Sequence, residues 1–486
     1  MAEIVLSTLN AKYIHPDIGL RYLLANLGPL RPRARILEFD LKAPPERVVE
    51  AVLAEDPSIV GLGVYIWNVS PLTEVVHLLK TRRPDVCVVL GGPEVSYETE
   101  EQEICRRADH VIAGEADFAF SEFCREWLDG RRPPGRVIRA EPADVSALEL
   151  PYDLYSDDDL AHRITYVETS RGCPFECEYC VSSNAVPVRY FDLPRVFESL
   201  DVLLARGARR FKFLDRTFNL NADHAVSVLG FFRERLQPGL FLHFEMMPDL
   251  FPTRLREALR EFPAGMVQLE IGVQTFHEDV ARRIRRKQDL AKAEESFRFL
   301  RSETGVLIHA DLIAGLPGES LEHFAAGFDR LVGLRPQKIQ VGILKRLRGC
   351  AIGRHDGEWG MVYAADPPYE LMESRLIDHA TMDRIKRFAR HWELIANRGR
   401  FEETLPAILG HTPFQSFLRL SDGLFARFGR DYGIALNDLA DGILAWLAGE
   451  QGLDPAAAAS AIARDYARAG RRDLPKAVRS TATAAD

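Results

Sequence analysis

The sequence predicts an α/β protein with two parallel-sheet domains and a helical C-terminal domain. Short apolar runs alternate with helical patterns over residues 1–135 and again over residues 161–352. Beyond about residue 363 the pattern is helical, with no strand rhythm. At roughly 100–200 residues per domain, the length of 486 residues also predicts about three domains.

The first series, over residues 1–135, has five candidate strands separated by segments with apolar residues at helical spacing. This rhythm is typical of a doubly wound, Rossmann-like parallel sheet, in which ligands bind beyond the carboxyl ends of the strands. The predicted strands are Glu3–Leu9, Arg35–Phe39, Ile59–Val64, Val86–Leu90 and His110–Ile112.

The second series, over residues 161–352, follows a stretch rich in Pro, Arg and Gly, and we predict a linker over residues 136–160. Six repeats of strand and helix predict a partial (β/α)6 barrel with active-site groups at the strand ends. The predicted strands are Thr165–Glu168, Phe211–Leu214, Leu240–Phe244, Val267–Ile271, Leu307–Ile313 and Ile339–Ile343.

The C-terminal third predicts a helical domain over residues 353–470 and a disordered tail over residues 471–486, which have few large apolar side chains. The clearest predicted helices are Leu371–Asn397, Ile434–Ala448 and Ala456–Ala469.

Composition excludes several classes of protein. Lys and Arg number 62 against 71 Asp and Glu, and this net charge of −9 argues against an electrostatic nucleic-acid binder. Seven cysteines are too few, and odd in number, for a disulfide framework. The sequence shows neither an apolar run of membrane-spanning length nor a signal-peptide pattern at its start, so we expect a cytoplasmic protein.

Three cysteines, Cys173, Cys177 and Cys180, follow a predicted strand with the spacing Cys-x3-Cys-x2-Cys. Three such thiolates can hold three irons of a [4Fe–4S] cluster and leave the fourth iron open to a chelating substrate. The alternatives are structural cysteines or a zinc site. Zinc would require a fourth ligand, and the nearest histidines are His162 and His224.

The segment from Arg163 to about Ala351 resembles the radical S-adenosylmethionine (SAM) superfamily through this cysteine signature. The resemblance implies that the cysteines carry a [4Fe–4S] cluster and that SAM chelates its open iron. Electron transfer would then cleave SAM to methionine and a 5′-deoxyadenosyl radical. Tyr179, the aromatic residue before the last cysteine, would lie near the adenine.

Other strand ends are similar to superfamily positions that bind SAM. Asp215-Arg216 resembles an Asp-Asp turn near the SAM amino group, although Arg216 replaces an acid and could face the SAM carboxylate. Glu270–Thr275 looks like an Ile-Gly-x-Gln-Ser turn, and Asp311–Glu319 looks like the Gly-x-Ile-x-Gly-x-x-Glu region beside the adenine. Hydrogen bonding inside the barrel mouth is the alternative for Glu245, Glu270 and Gln274. The implied SAM site comprises Tyr179, Asp215, Arg216, Glu245, Gln274, Ile313 and Gly315.

A doubly wound domain before such a barrel resembles the cobalamin (B12)-binding class, in a subgroup with an uncharacterised helical C-terminal domain. The opening Leu9–Pro16 is typical of that subgroup. The strand-end loops would hold the corrin and its nucleotide tail, and ordinary turns are the alternative. The implied residues are Asn10, Tyr65, Asn68, Gly91, Gly92, Pro93, Glu94, Gly114 and Glu115.

The Asp-x-His-x-x-Gly motif that supplies an axial histidine to cobalt in many cobalamin enzymes is absent, and no Asp-x-His occurs in the sequence. No histidine, His15 included, is therefore predicted to bind cobalt. A weak or missing lower ligand would favour cob(I)alamin and the capture of a methyl group from SAM.

The remaining cysteines divide into two groups. Cys87, Cys105 and Cys124 lie in predicted strands or helices and are expected in the core. Cys350 follows the last barrel strand and could face the substrate as a hydrogen donor or thiolate, with a Thr-like substitution as the alternative. We interpret the basic run Arg282–Lys287 as a solvated helix face.

The resemblance implies a cobalamin-dependent radical SAM methyltransferase that moves a methyl group through methylcobalamin to an unactivated carbon of a small molecule or peptide. A flavodoxin- or ferredoxin-type protein would reduce the cluster, and nucleic acid is not expected as a partner. Three alternatives stay open. These are a cobalamin- and SAM-dependent rearrangement, cyclisation or polar methyl transfer; a cobalamin-free RNA or peptide modifier; and a non-catalytic iron–sulfur protein.

Overall fold

Two six-stranded parallel sheets and a set of C-terminal helices make up the fold. The computed structural model describes residues 1–133, 135–184, 187–471 and 473–482. The first sheet has the strand order β2-β1-β3-β4-β5-β6. Its strands are β1 (Ile4–Asn10), β2 (Ala34–Asp40), β3 (Ile59–Gly63), β4 (Cys87–Gly91), β5 (His110–Ala113) and β6 (Val137–Arg139).

Helices cover both faces of this sheet, which is why its central strands are apolar along their whole length. Val5, Val60 and Val88 pack into one core, and Ile4, Ile59 and Cys87 pack into a second core on the opposite face. The helices are α1 (Ile18–Ala25), α2 (Pro45–Leu53), α3 (Val69–Arg82), α4 (Glu103–Arg107) and α5 (Asp117–Leu128). The predicted doubly wound sheet is confirmed.

The predicted linker over residues 136–160 is wrong at both ends. Strand β6 pairs in parallel with β5 and extends the first sheet. The following segment buries Leu148, Tyr152 and Tyr155 in the core of the second domain, and it ends in α6 (Asp157–His162). Both parts are short and irregular, so they carry no clear apolar period.

The second sheet is the expected open barrel, because each strand pairs in parallel with its neighbour in the chain, in the order β14-β13-β12-β11-β10-β7. The short antiparallel pair β8 and β9 flanks the cysteine loop and was not predicted. The strands are β7 (Thr165–Val167), β8 (Ser170–Arg171), β9 (Arg189–Tyr190), β10 (Arg210–Phe213), β11 (Phe241–Met246), β12 (Val267–Gln274), β13 (Leu307–Ala314) and β14 (Lys338–Ile343). The helices are α7 (Leu193–Ala205), α8 (Ala222–Arg233), α9 (Thr253–Arg260), α10 (Glu278–Arg283), α11 (Leu290–Glu303) and α12 (Leu321–Gly333).

The C-terminal region is largely helical, as predicted, and packs on the outside of the barrel. Phe328 of α12 contacts Phe388, Trp392 and Phe414, with ring centroids 5.1, 4.8 and 5.9 Å away. The elements are α13 (Asp356–Trp359), β15 (Val362–Tyr363), β16 (Leu371–Glu373), α14 (His379–Trp392), α15 (Leu405–Leu409), α16 (Pro413–Phe428), α17 (Leu436–Gly449), α18 (Pro455–Arg468) and α19 (Lys476–Ala482).

Two details of this region differ from the prediction. The segment expected to be helical from Leu371 begins as strand β16, which pairs with β15. Part of the expected tail is helix α19, and its Val478 is fully buried in the common core. Arg472 and residues 483–486 of that tail lie outside the described residues. In the part of the chain that the structure describes, no helix combines the length and hydropathy needed to cross a membrane.

A buried ion-pair network joins the two sheet domains. Glu38, at the end of β2, lies 2.9 Å from Arg21 of α1 and 2.9 Å from Arg163, and both arginines also pair with Asp159 of α6. Burial opposes ionisation of Glu38, but the two guanidinium groups hold the pKa of its carboxyl below the usual value.

Replacing Glu38→Gln removes the charge that both arginines face, and we expect a loss of about 3 kcal/mol in the free energy of unfolding, measured by urea denaturation. The pKa of Glu38 is lower in the folded than in the unfolded protein. The stabilisation by Glu38 is therefore present above its unfolded pKa and is lost as the pH falls through its folded pKa. The difference in free energy of unfolding between the unsubstituted protein and Glu38→Gln should therefore narrow below about pH 4.

The matched control is Glu3→Gln, which breaks the exposed Glu3–Arg33 pair and should cost less than about 1 kcal/mol. Equal losses in the two variants would contradict a structural role for the buried network.

Candidate active site

A cavity of about 170 Å³ lies at the carboxyl ends of β3, β4 and β5, where a doubly wound sheet binds ligands. We call it the first-domain cavity. Strand-end glycines form much of its wall, together with side chains from α1, α5 and the segment before the cysteines. The residues that matter below are Asp17, Gly63, Tyr65, Gly91, Gly92, Gly114, Asp117 and Arg171.

The glycines of this wall fall into two kinds. Gly92 and Gly114 have φ of 108° and 100°, and a Cβ there would lie 2.4 Å from the carbonyl oxygen of Val64 and 2.8 Å from that of Ala140. The backbone itself therefore requires glycine. At Gly91 a Cβ would meet only one atom within 4 Å, at 3.7 Å, so internal packing does not require glycine there. Its absent side chain leaves room for a ligand to approach the strand end.

Five of the nine residues predicted to bind cobalamin do not line this cavity. The Asn68 amide donates to the Thr8 hydroxyl and to the carbonyls of Leu9 and Gly63, which fixes the turn after β3. Asn10 donates to Glu38 at 2.9 Å and belongs to the ion-pair network. Both asparagines are buried, and their side-chain amides form these hydrogen bonds within the first domain.

The other three lie at the contacts between domains or on the surface. Glu94 accepts hydrogen bonds from Tyr369 at 2.7 Å and Arg348 at 3.0 Å. Glu115 accepts from Arg189 and from the backbone N–H of Ala143. Pro93 is exposed. Tyr65, Gly91, Gly92 and Gly114 are the predicted residues that do line the cavity.

A second cavity, of about 160 Å³, has the three signature cysteines on its wall, and we call it the cysteine cavity. Its opposite wall consists of side chains at the carboxyl ends of the barrel strands. The lining includes Cys173, Phe175, Cys177, Tyr179, Cys180, Arg216, Glu245, Glu270, Gly272, Gln274, Arg286 and Asp311.

The three thiols line this one cavity and form no disulfide. Among the described residues, no group of three or more His, Cys, Asp or Glu side chains could hold a single metal ion. A zinc site requires four ligands around one atom, whereas a [4Fe–4S] cluster takes each thiolate on a different iron. Three cysteine thiols on one cavity wall fit the three iron ligands of such a cluster.

Four of the seven residues predicted to bind SAM lie on this wall: Tyr179, Arg216, Glu245 and Gln274. Gln274 has a positive φ of 70° beside a β-bulge, and its amide folds back over Gly272, where a Cβ would lie 2.3 Å from Nε2. This contact explains the Gly-x-Gln spacing. Arg216 lies 3.8 Å from Glu245, so the replacement of an acid by Arg216 leaves a cation in the cavity.

The other three do not line the cavity. Asp215 is buried and accepts hydrogen bonds from the Thr169 N–H and hydroxyl and from the Ser170 hydroxyl, so it holds the chain just before the cysteines. Burial raises the pKa of Asp215 to about 6. Ile313 packs against the barrel core, and a Cβ at Gly315 would lie 2.5 Å from the Leu371 side chain.

Three carboxylates on adjacent strands give the cysteine cavity its charge. Burial opposes ionisation of Glu270, but a hydrogen bond from His243 at 2.8 Å and the charge of Lys212 lower its pKa to about 2. Burial raises the pKa of Glu245 and of Asp311, and Asp311 Oδ1 has no hydrogen-bond partner. The cavity thus combines one fixed anion with two acids that a cationic ligand such as SAM would ionise.

Arg286 is a site residue that the sequence analysis missed. It was assigned to a solvated basic run, yet it is buried and donates to Cys177 Sγ at 3.7 Å and to the Gly272 carbonyl. Arg282 and Lys287 of that run are exposed, as expected. A run of consecutive basic residues has no period that identifies the buried member.

Arg171 connects the two cavities along the chain, because it lines the first-domain cavity and precedes Cys173, on the wall of the cysteine cavity, by two residues. Its guanidinium lies 2.9 Å from Asp117 of the first domain and 3.0 Å from Glu168 at the end of β7. These ion pairs fix the segment that leads from the first-domain cavity to the cysteine loop.

The other cysteines are consistent with buried thiols. Cys87, Cys105 and Cys124 are in the core, which confirms their expected place. Burial raises the pKa of Cys350 to about 12, and the thiol interacts electrostatically with Cys180. Cys350 is therefore protonated at neutral pH, which favours a hydrogen donor over a thiolate.

Comparisons with known families match this division of the chain. Residues 4–124 match the B12 binding domain, residues 167–331 match the Radical SAM superfamily, and residues 357–480 match a protein family of unknown function, DUF4080. The chain therefore carries a B12-binding domain followed by a radical SAM domain, and its C-terminal helices match a family of unknown function.

Similar proteins carry methyltransferase names. An uncharacterized methyltransferase of Pyrococcus horikoshii is 32% identical over 36% of this chain and 42% of its own length. The cobalamin-dependent radical SAM methyltransferase TokK of Streptomyces tokunonensis is 26% identical over 37% of this chain and 30% of its own length. The chain thus spans less than half of these relatives.

The structure of the radical SAM methyltransferase TsrM from Kitasatospora setae aligns over 78% of this chain and 81% of that chain. The TM-score is 0.60 and the sequence identity is 17%, so the two proteins share a fold.

Gly91→Ala places a methyl group on the wall of the first-domain cavity, where its Cβ would meet only one atom within 4 Å, at 3.7 Å. We expect the protein to fold and cobalamin to bind at least about tenfold more weakly, which corresponds to about 1.4 kcal/mol. The measurement is the corrin absorbance retained after gel filtration with hydroxocobalamin. Gly230→Ala, where a Cβ meets nothing within 4 Å, is the control and should bind normally.

Proposed function

We propose that the protein is a cobalamin-dependent radical SAM methyltransferase that moves a methyl group from SAM, through cobalamin, to an unactivated carbon of a small molecule or peptide. One observation carries the proposal: each cavity lies at the carboxyl ends of its sheet, and one short segment reaches both, with Arg171 on the first-domain cavity and Cys173 on the cysteine cavity. Substrate bound there would contact both cofactors.

In this proposal Cys173, Cys177 and Cys180 hold the [4Fe–4S] cluster, and the first-domain cavity holds cobalamin. When bound, the cluster supplies the electron that cleaves SAM, and cobalamin carries the methyl group. The chain binds and orients these groups: Arg216 and Arg286 offer positive charge to the SAM carboxylate, and the cavity carboxylates offer negative charge to its ammonium and sulfonium groups.

The names of the similar proteins support methylation, and the free cysteines support a reducing compartment. We accordingly place the protein in the cytoplasm with a flavodoxin- or ferredoxin-type electron donor. The negative net charge supports a small molecule or peptide as substrate over RNA.

Polar methyl transfer is a second candidate, and Asp311 is the observation that favours it. Its carboxyl lies on the cavity wall, and its Oδ1 accepts no hydrogen bond and lies 3.6 Å from His309 Nε2. Burial raises the pKa of Asp311, so once a cationic ligand ionises it, the carboxylate could take the proton that a substrate loses as it gains the methyl group. A radical route forms 5′-deoxyadenosine together with the methylated product, whereas the polar route does not.

The first test is reductive SAM cleavage. After anaerobic reconstitution with iron and sulfide, dithionite should drive formation of 5′-deoxyadenosine, and Cys173→Ala or Cys177→Ala should abolish it because one iron loses its ligand. Chromatography of the nucleoside product measures this. A fully reconstituted protein that releases no 5′-deoxyadenosine would overturn the radical proposal, and SAM bearing a labelled methyl group then tests for transfer.

The Cys350→Ala variant tests whether the Cys350 thiol acts on the substrate or binds the cluster. Because the thiol is protonated and lies outside the signature, we expect normal iron content and normal SAM cleavage, with a change confined to product formation. Iron analysis and nucleoside chromatography check the first two. Loss of iron from this variant would show that the residue binds the cluster instead.

A further inference from the structure

Glu178 lies between two signature cysteines, and only 1% of its surface is exposed. Its Oε2 lies 2.7 Å from His355 Nε2, and its Oε1 lies 2.5 Å from Arg354 Nη2 and 3.1 Å from Arg285 Nε. A carboxylate this deeply buried is costly unless it is paired, and here three nitrogen groups converge on it. Nothing in the cysteine spacing requires an acid at this position.

The three partners come from two segments outside the cysteine loop. Arg285 belongs to the turn between α10 and α11. Arg354 and His355 belong to the short helix Ala351–His355, which leads from the barrel into the C-terminal region. The carboxylate therefore joins the cysteine loop to the start of the C-terminal region and to the turn that carries Arg286.

Two backbone features support a built arrangement. The Glu178 N–H donates to the Ile284 carbonyl at 3.1 Å, so the loop and the turn lie against each other. Arg285 has a φ of 53°, a conformation uncommon for a residue with a side chain. In this conformation Arg285 pairs with Glu178 while its neighbour Arg286 donates to Cys177 Sγ.

The segment after the barrel also holds the other end of the loop. Asn184 Nδ2 donates to the Gly349 carbonyl at 3.0 Å. Arg283, before the same turn, lies over the Trp359 ring at 4.5 Å and ties the turn to α13. The cysteines thus sit on a loop that is fixed from one side by residues 349–359.

We propose that Glu178, Arg285, Arg354 and His355 form a positioning site, the Glu178 clamp, that holds the cysteine loop in the conformation that binds the cluster. Glu178 does not line the cysteine cavity, so it acts through Cys177 and Cys180. Through Arg354 and His355, the segment that enters the C-terminal region controls how firmly the cluster is held. This inference rests on the proposed [4Fe–4S] cluster.

The test uses the full chain reconstituted with iron and sulfide. Groups that orient metal ligands typically contribute ten- to hundredfold to metal retention, so Glu178→Gln should release iron to bathophenanthroline at least about tenfold faster. The midpoint potential, followed by electron paramagnetic resonance, should also shift because the charge beside the cysteines changes. Glu176→Gln, an exposed residue of the same loop, is the matched control and should match the unsubstituted chain.

His355 variants separate positioning from folding. His355→Gln keeps an N–H donor for the carboxylate and should release iron as slowly as the unsubstituted chain. His355→Leu removes the donor and should release iron as fast as Glu178→Gln. The cluster-free forms of these two variants should unfold at similar temperatures, whereas their rates of iron release should differ.

Iron release and potential equal to those of the unsubstituted chain in both Glu178→Gln and His355→Leu would overturn the clamp. Failure of the unsubstituted chain to take up a cluster would instead overturn the proposed function.

Discussion

The ion pairs of Arg171 are the interaction on which the arrangement of the two sites depends. Its guanidinium bridges Asp117 of the first domain and Glu168 of the barrel, and the chain reaches the first cysteine two residues later. Each parallel sheet can bind a ligand at the carboxyl ends of its strands, but the fold of one sheet does not determine where the other sheet lies. This bridge and the network around Glu38 join the first domain to the barrel at the segment that leads into the cysteine loop.

The chemistry of the cysteine cavity follows from where its charges are fixed. Lys212 and His243 hold Glu270 ionised, and Arg216 and Arg286 add positive charge to the cavity. Burial raises the pKa of Glu245 and of Asp311, so these two carboxyls are more easily protonated. A ligand that carries both an ammonium group and a carboxylate therefore finds charges of both signs on the wall of this cavity. Burial strengthens these interactions because little solvent screens them.

Much of the fold could be predicted from the sequence because buried parallel strands are apolar along their length. All eleven strands predicted for the two sheets are present, whereas β6, three residues long beside a Pro- and Gly-rich stretch, has no such signal. That Cys173, Cys177 and Cys180 lie on one cavity wall could be predicted from their spacing alone. The partners of polar strand-end residues could not: Asp215, Asn68 and Glu94 were expected to face ligands, yet each bonds to a chain segment far away in sequence. The alternation of side chains along a strand predicts the face of the sheet on which a residue lies, but it does not predict the residue's hydrogen-bond partner.

The contact between the C-terminal helices and α12 has a consequence for what counts as a domain here. Phe388, Trp392 and Phe414 share one aromatic core with Phe328 of the barrel. The boundary near residue 352 therefore separates two sequence families but not two cooperative units. A chain cut near residue 352 would leave this aromatic core incomplete on both sides, so we do not expect the barrel to be stable without the C-terminal helices.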